Sequence, residues 1–331
     1  TKLFLSRPTN DHFGSSVDID ENLLLVGAPL ASTTAVSNGV GYIYRYSPSS
    51  GSWSPEWMIN PNSATGGDQF GASVAIDSGK AVFGAPNLEH FLTGSSGIAY
   101  LYEEPIDDEW QNDPRSPRPV IFDRSSFSTP APMPGFGSAI AMSKTNGTGN
   151  IALIGDPNSS QIHIFRQEGG PGEPWADMML QVHPPDIQNP PYDFGRVIEI
   201  VGDLAIIGAP HEGSGEVYVY IDISGAGLNW VHVQTITPDS SNAGNFGAEI
   251  SAIEVGGDVI QLAIGNTGST LDTENSGRVH LYYWDTDAFI QSHTLTDPNY
   301  VSGDSSEFGA AIALSESPGG GSLLIAVGDN N

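Results

Sequence analysis

The sequence of 331 residues contains no cysteine, few basic residues and no long apolar run. Without cysteine the chain can form no disulfide, thiol nucleophile or cysteine-ligated metal site. Only 11 Lys and Arg residues oppose 39 Asp and Glu residues, which gives a formal net charge of −28. Such a field repels the phosphates of nucleic acids and anionic lipid surfaces, so neither is an expected partner. Because no apolar segment approaches the roughly 18 residues of a membrane span, we expect no direct membrane insertion either.

Helical periodicity is also missing from the sequence. No stretch long enough for a helix places apolar residues at a spacing of about 3.6. Instead, 40 Gly and 24 Pro residues interrupt short strand-like runs such as "LLLVGAP", "VGYIYRY" and "GEVYVYI". Runs of this kind, bounded by turn residues, are typical of β-strands, so we predict an all-β fold.

One phrase recurs along the whole chain. It begins with Phe-Gly, continues through an alternating strand and a second apolar strand, and ends at or near Gly-Ala-Pro, as in "DHFGSSVDIDENLLLVGAP" and "DQFGASVAIDSGKAVFGAP". A Tyr-rich strand usually follows, and each complete repeat has a Trp near its next turn. The repeats start near residues 11, 68, 134, 192, 244 and 306, and the last is incomplete. The Phe residues of the six Phe-Gly pairs are Phe13, Phe70, Phe136, Phe194, Phe246 and Phe308.

Sets of four antiparallel strands that recur every roughly 50 to 60 residues are typical of propeller blades. Because one blade cannot bury both faces of its sheet, blades must stack on one another, and we expect each Phe to pack between neighbours. The sequence therefore predicts a single domain over residues 1–331. We predict a β-propeller of six or seven four-stranded antiparallel blades, in which an N-terminal strand (residues 1–6) closes the last blade. Separate β-sandwich domains would need about twice as many strands per unit.

The phrase "FG…GAP" resembles the FG-GAP repeat family, which builds the β-propeller of integrin α subunits and of many secreted proteins. The resemblance implies an extracellular or cell-surface module that is not an enzyme. We expect it to serve recognition, adhesion or scaffolding by binding a protein partner, or copies of itself in a surface assembly, through the face that carries the long loops. The candidate anchors on these loops are Phe91, Phe127, Leu271 and Asp272.

Two alternative functions stay open at this point. The Trp residues that recur in every blade could stack on sugars, which would make the protein a carbohydrate-binding propeller with a glycan partner. A hydrolase with its site at the central channel is the second alternative. However, the eight His residues show no zinc-site spacing, and no nucleophile elbow or phosphate-binding loop is present. If the protein is secreted, Asn146 and Asn158 are potential N-glycosylation sites.

Calcium binding is the property that the integrin resemblance would most readily suggest. In integrins the loop between the first two strands holds the ion with alternating Asp and Asn residues, and no loop here has the pattern D-x-D-x-D-G. Asp18, Asp20 and Glu21 come nearest, but strand alternation is expected to place Asp18 and Asp20 on one solvated face. Calcium needs about six to eight oxygen ligands, so we assign no metal ligand and no cofactor.

We therefore predict that the protein folds without bound calcium in most or all of its blades. The reason is that the longer first loops, such as "KTNGTG" and "SPGGG", offer at most one carboxylate each. Thermal melts at fixed ionic strength should give the same melting temperature with and without a chelator. A large drop in melting temperature on chelation would contradict the prediction.

Overall fold

The computed structural model describes most of the chain, and within that part almost all regular structure is β-strand. A single turn of 3-10 helix, Pro157–Ser159, is the one helical element among the described residues. The described residues are 10–32, 37–60, 67–90, 94–95, 97–104, 120–123, 135–144, 149–168, 173–186, 193–210, 215–238, 244–255, 259–268, 277–298, 307–317 and 322–329.

The chain divides into two compact units, of which the first spans Thr1–Gln181. It carries three four-stranded antiparallel sheets, which we call blades 1 to 3. A short hairpin is inserted after the second strand of blade 2. The strands are β1 (Ser16–Asp20), β2 (Leu23–Ala28), β3 (Val40–Ser47) and β4 (Ser52–Ile59) in blade 1; β5 (Val74–Asp77), β6 (Lys80–Ala85), the hairpin β7 (Glu89–His90) and β8 (Gly94–Ser95), β9 (Ile98–Glu103) and β10 (Val120–Phe122) in blade 2; and β11 (Ile140–Lys144), β12 (Asn150–Asp156), β13 (Gln161–Gln167) and β14 (Trp175–Val182) in blade 3.

The second unit spans Val182–Asn331. It carries two more four-stranded antiparallel sheets, blades 4 and 5, and a two-stranded sheet that we call blade 6. The strands are β15 (Val197–Val201), β16 (Leu204–Ala209), β17 (Glu216–Asp222) and β18 (Trp230–Ile236) in blade 4; β19 (Asn245–Val255), β20 (Val259–Thr267), β21 (Arg278–Asp285) and β22 (Ala288–Leu295) in blade 5; and β23 (Ala311–Glu316) and β24 (Leu323–Gly328) in blade 6.

The prediction of an all-β propeller with four-stranded antiparallel blades is confirmed. Each blade pairs its strands in chain order, as the blade 1 order β1-β2-β3-β4 illustrates. The predicted number of six or seven blades is wrong. Five complete blades are present among the described residues, because the sixth repeat contributes only the pair β23-β24. The predicted closing strand, residues 1–6, lies outside the described residues.

Where two blades of one unit adjoin, the Phe of the second blade packs between them, as blade 2 illustrates. Phe70 is fully buried, and its ring stacks on Phe83 at a centroid distance of 5.3 Å and meets Tyr100 edge-on at 5.6 Å. On the other side, the backbone of Gly39 in blade 1 approaches the backbone of Phe70 so closely that a Cβ there would lie 2.2 Å from its carbonyl oxygen. Burial of this ring therefore depends on glycine in the preceding blade.

The two halves of the repeated phrase meet across each blade boundary within a unit. A Cβ built on Gly84, the glycine of Gly-Ala-Pro in blade 2, would lie 2.1 Å from the carbonyl oxygen of Gly137, the Phe-Gly glycine of blade 3. Gly137 itself has φ near +85°, a conformation that residues with a side chain rarely adopt. The same close approach joins Gly27 to Gly71, Gly208 to Gly247 and Gly265 to Gly309.

In blades 3 and 5, where the sequence differs from Gly-Ala-Pro, the side chains at two positions change together. In blades 1, 2 and 4 the middle residue is a buried Ala, and a Tyr lies on the third strand two residues beyond the position paired with it. In blades 3 and 5 the middle residue is Asp156 or Asn266, and the residue at that place on the third strand is His163 or His280. In every case the repeat's Phe meets that ring edge-on, at centroid distances from 5.1 to 5.6 Å.

We predict that Gly84→Ala destabilises the protein by about 1 to 3 kcal/mol, because the added methyl group would overlap a backbone carbonyl and force two blades apart. Gly328→Ala is the matched control. It changes the equivalent glycine of blade 6, where a Cβ meets only Ala311 of its own sheet. Denaturant unfolding of both variants measures the difference, and equal losses would contradict the role given to this contact.

Candidate functional site

Most residues predicted from the sequence as functional fall in the long loops. Asn158 is exposed on the turn Pro157–Ser159. An N-glycosylation acceptor must be accessible, so glycosylation at Asn158 stays a prediction. The predicted anchors and the second sequon lie outside the described residues: Phe91, Phe127, Leu271, Asp272 and Asn146.

The described Trp residues at the turns before the fourth strands pack against other parts of the protein: Trp175 against the neighbouring blade 2, the others against their own blades. Trp175 meets Phe122 at a centroid distance of 5.4 Å, and Trp284 meets Phe289 at 4.9 Å. Trp230 donates its indole N–H to the carbonyl oxygen of Gly227 at 3.0 Å. These contacts cap the outer strands and leave each ring partly buried. Trp53 packs in the same way on Tyr46, and Trp110 lies outside the described residues.

Asp18 and Asp20 share one face of β1, but that face is not solvated as predicted. The Asp18 carboxylate accepts the backbone N–H of Ile76 at 2.7 Å, and the Asp20 carboxylate accepts that of Ser78 at 2.6 Å. Both donors belong to blade 2, so the two carboxylates join the first strands of neighbouring blades. Alternation identified the shared face correctly, but the neighbouring blade covers it.

This position of Asp18 perturbs its ionisation. Burial raises the pKa of Asp18 to about 6, and the nearby charges of Asp20 and Asp77 act in the same direction, against two backbone hydrogen bonds that favour the carboxylate. Ser251 takes the equivalent position in blade 5 and accepts the N–H of Leu314 from blade 6 at 3.2 Å. Because a neutral oxygen can replace the carboxylate in the same contact, we assign Asp18 a structural role.

Glu249 is different, because among the described residues its side chain makes no hydrogen bond to the next blade. It lies three residues after Phe246 on β19. In blades 1 and 2 the residue at this position is a serine that donates its hydroxyl to the next blade, as Ser73 does to the carbonyl oxygen of Gly137 at 2.7 Å. A carboxylate has no proton to donate to a carbonyl oxygen. The residues at this position in the other blades are Ser16, Ser73, Ala139, Val197 and Ala311.

Burial alone shifts the ionisation of Glu249. Its side chain is half-buried, and burial raises its pKa to about 7. Gly265 lies beside it, since a Cβ on that glycine would be 3.4 Å from the Glu249 Cβ. A carboxyl group with a pKa near neutrality can both take and release a proton at physiological pH. The motif search missed Glu249; alignment of the six repeats shows it as a carboxylate where the others have small, apolar or hydroxyl side chains.

The part of the sequence that contains Glu249 has few basic residues. Arg196 and Arg278 are the only Lys or Arg residues of the sequence after residue 181. Within the segments that the structure describes, no cluster of three or more His, Asp or Glu residues is placed to hold a metal ion, and the calcium prediction stays a prediction. No helix among the described residues is long and apolar enough to cross a membrane.

The family model of the FG-GAP repeat matches residues 8–44 and 53–102. This match confirms the resemblance that the sequence predicted, on the first two repeats. No curated protein sequence matches the chain.

Solved structures share the fold at low sequence identity. One from Bacteroides uniformis, described as a "putative 6-phosphogluconolactonase", is 12% identical with a TM-score of 0.61, over 95% of this chain and 77% of that one. Another from Bacteroides fragilis, described in the same way, is 12% identical with a TM-score of 0.60, over 95% and 76%. The periplasmic gluconolactonase of Pseudomonas aeruginosa is 14% identical with a TM-score of 0.57, over 95% and 78%. At these identities the likeness is one of fold.

These structures contradict the prediction of a non-enzymatic recognition, adhesion or scaffold module. All three carry the names of lactonases, and none is named as an adhesion protein. The prediction that the protein is not an enzyme relied on the resemblance to adhesion propellers and on the absence of local motifs. Propeller sites can instead be assembled from residues far apart in sequence, which a motif search does not detect. The extracellular location and the identity of a partner stay predictions.

We predict that Asp18→Asn stabilises the protein more at pH 7 than at pH 4. Folding raises the pKa of Asp18 from 3.8 to about 6, so the folded protein holds the Asp18 proton more tightly than the unfolded chain does. The wild type therefore loses stability as pH rises from about 4 to 6. The variant lacks this loss. Denaturant unfolding across that range measures it, with Ser16→Ala as a control that does not titrate. A difference between wild type and Asp18→Asn that stays constant with pH would contradict the prediction.

Proposed function

We propose that this propeller is a hydrolase that opens the ring of an uncharged sugar lactone, with Glu249 as its general base. The observation that carries the proposal is the fold, which matches the named lactonases over 95% of the chain. Fold alone does not determine chemistry, so the proposal also depends on a residue suited to the reaction. Glu249 is the half-buried carboxyl group that supplies it.

Glu249 lies beside the boundary between blades 5 and 6. The carboxyl group lies near the start of β19, close to the residues of the Phe-Gly and Gly-Ala-Pro segments. A glycine at position 265 leaves room for the Glu249 side chain and for the backbone of Gly309 in blade 6. Binding and catalytic residues often lie where such loops meet a rigid scaffold.

The reaction needs one proton acceptor. The Glu249 carboxylate removes a proton from a water molecule, whose oxygen attacks the carbonyl carbon of the lactone. The tetrahedral intermediate then collapses, the bond between that carbon and the ring oxygen breaks, and the ring oxygen takes up the proton that Glu249 holds. The product is the open-chain hydroxy acid, and Glu249 returns to its carboxylate form. A pKa of about 7 suits a group that must both accept and return this proton.

The charge of the chain favours an uncharged lactone over a phosphorylated one. Phosphate groups are usually held by Arg, Lys or helix N-termini. Here the formal net charge is −28, and the unit that contains Glu249 has Arg196 and Arg278 as its only Lys or Arg residues. The net negative charge of the protein would repel a phosphate group on the substrate, and few basic side chains would be available to bind that group.

We predict that the protein hydrolyses glucono-δ-lactone faster than its 6-phospho derivative, and that Glu249→Gln lowers kcat by about 100-fold to 10,000-fold. Acid release followed in a pH-stat, corrected for spontaneous hydrolysis, measures both. Because Glu249 must be ionised to act as a base, kcat should rise with pH through about 7.

Glu254→Gln is the matched control, since Glu254 lies exposed on the same strand. It should leave kcat and KM unchanged. Wild-type activity in Glu249→Gln would remove this residue from the mechanism. Absence of hydrolysis with any sugar lactone would overturn the proposed function itself.

A further inference from the structure

We propose that Glu249 and the backbone carbonyl group of Gly309 together bind one water molecule at the boundary between blades 5 and 6, and that this water attacks the lactone. The role of the water rests on the proposed function, whereas the site that binds it does not. The inference comes from a comparison of one position, the third residue after the repeat's Phe, at the four blade boundaries that lie within a unit.

At the first two of these boundaries the position is a serine that bonds to the next blade. Ser16 donates its hydroxyl to the carbonyl oxygen of Gly71 at 2.8 Å, and Ser73 donates to that of Gly137 at 2.7 Å. Each acceptor belongs to the buried Phe-Gly glycine of the following blade. The hydroxyl therefore supplies the hydrogen bond that a buried carbonyl oxygen needs.

The same groups meet at the boundary between blades 5 and 6. A Cβ built on Gly265 would lie 2.3 Å from the carbonyl oxygen of Gly309 and 3.4 Å from the Cβ of Glu249. In blade 2, a Cβ built on Gly84 would lie 2.1 Å from the accepting carbonyl oxygen and 2.3 Å from the hydroxyl oxygen of Ser73. Glu249 therefore lies beside the Gly309 carbonyl in the way that Ser73 lies beside its acceptor.

The pair at this boundary differs from the serine pairs because both of its groups are acceptors. An ionised carboxylate has no proton to donate, and a backbone carbonyl has none either. Gly309 is buried, and among the described residues no donor bonds to its carbonyl oxygen. Ser251, two residues after Glu249, accepts the N–H of Leu314 at 3.2 Å and so holds β23 next to β19. The two acceptors are therefore kept close together.

The boundary between blades 4 and 5 shows that the position can also be apolar. There a Cβ built on Gly208 would lie 2.4 Å from the carbonyl oxygen of Gly247 and 3.2 Å from the Cβ of Val197. The valine side chain neither donates a hydrogen bond nor carries a charge. Of the four boundaries, the one with Glu249 is therefore the one that sets a carboxylate against the carbonyl oxygen.

A water molecule satisfies both acceptors at once. It has two protons, so it can donate one to the Glu249 carboxylate and the other to the Gly309 carbonyl oxygen. A bridging water of this kind is nearly as favourable in enthalpy as a direct hydrogen bond. The lone pairs of its oxygen are turned away from both acceptors, which leaves them available to the carbonyl carbon of a lactone. During attack Glu249 takes one proton, while the bond to Gly309 keeps the oxygen in place.

Glu249→Ser tests the site, because it restores the serine of blades 1 and 2 and with it a direct bond to Gly309. Its melting temperature should exceed that of Glu249→Ala by roughly 1 to 4 °C, the size expected for one net hydrogen bond. Ser73→Ala is the matched control, which removes the equivalent bond of blade 2 and should lower the melting temperature by a similar amount. Equal melting temperatures for Glu249→Ser and Glu249→Ala, beside a loss in Ser73→Ala, would overturn the proposal.

A crystal structure of the wild type, at a pH where Glu249 is ionised, locates the water directly. Its oxygen should lie about 2.7 to 3.2 Å from both a Glu249 carboxylate oxygen and the Gly309 carbonyl oxygen. In Glu249→Ser the hydroxyl should take its place. A wild-type structure with no water between the two groups would also overturn the proposal.

Hydrolysis distinguishes this inference from the proposed function. Glu249→Ser should lose kcat as strongly as Glu249→Gln, by about 100-fold to 10,000-fold, although its fold is intact. A Glu249→Ser variant with the kcat of the wild type would show that this water is not the nucleophile. If the wild type hydrolyses no sugar lactone, the proposed function and the role of the water fail, while the crystal structure and the melting temperatures still decide whether the site exists.

Discussion

The contact between one glycine and the carbonyl oxygen of another is the constraint on which the blade boundaries depend. Gly84 approaches Gly137 so closely that no side chain fits between them, and three other boundaries repeat this geometry. The contact fixes the distance between neighbouring sheets at the end where the loops emerge. Phe136 can then fill the space below it, fully buried between two blades. The repeated phrase therefore specifies the boundary between two sheets as much as the sheet itself.

This constraint also determines where a blade can carry chemistry. Positions that face the close contact must be small, and positions in the inter-blade core must be apolar. The third residue after each Phe lies just beside the contact and tolerates serine, alanine, valine and glutamate. Glu249 can therefore be placed there without loss of the boundary, although burial raises its pKa to about 7. A repeat protein can acquire a functional group at such a position in one blade while the others keep the structural residue.

The sequence predicted the strand order and the role of the Phe residues because both follow from a pattern repeated six times. The sequence-based prediction failed where the result depends on residues of the neighbouring blade. Alternation put Asp18 and Asp20 on one face, but only the structure shows Ile76 and Ser78 of the next blade as their donors. The blade count was wrong because the sixth repeat forms only two strands. The predicted function was wrong because a resemblance to adhesion propellers gives information about the fold, and proteins of one fold can have many different activities.

The exchange of Ala for Asp or Asn shows how far the repeat can vary. A polar side chain at the buried middle position of Gly-Ala-Pro would be costly alone. Blade 3 places Asp156 3.6 Å from His163, measured from Oδ2 to Nε2, where three other blades have Ala and Tyr. The smaller imidazole leaves room for the longer carboxylate, so the pair approximately conserves volume. Because blade 5 makes the parallel exchange with Asn266 and His280, the two positions vary as a unit. The edge-on contact with the repeat's Phe is retained in both blades.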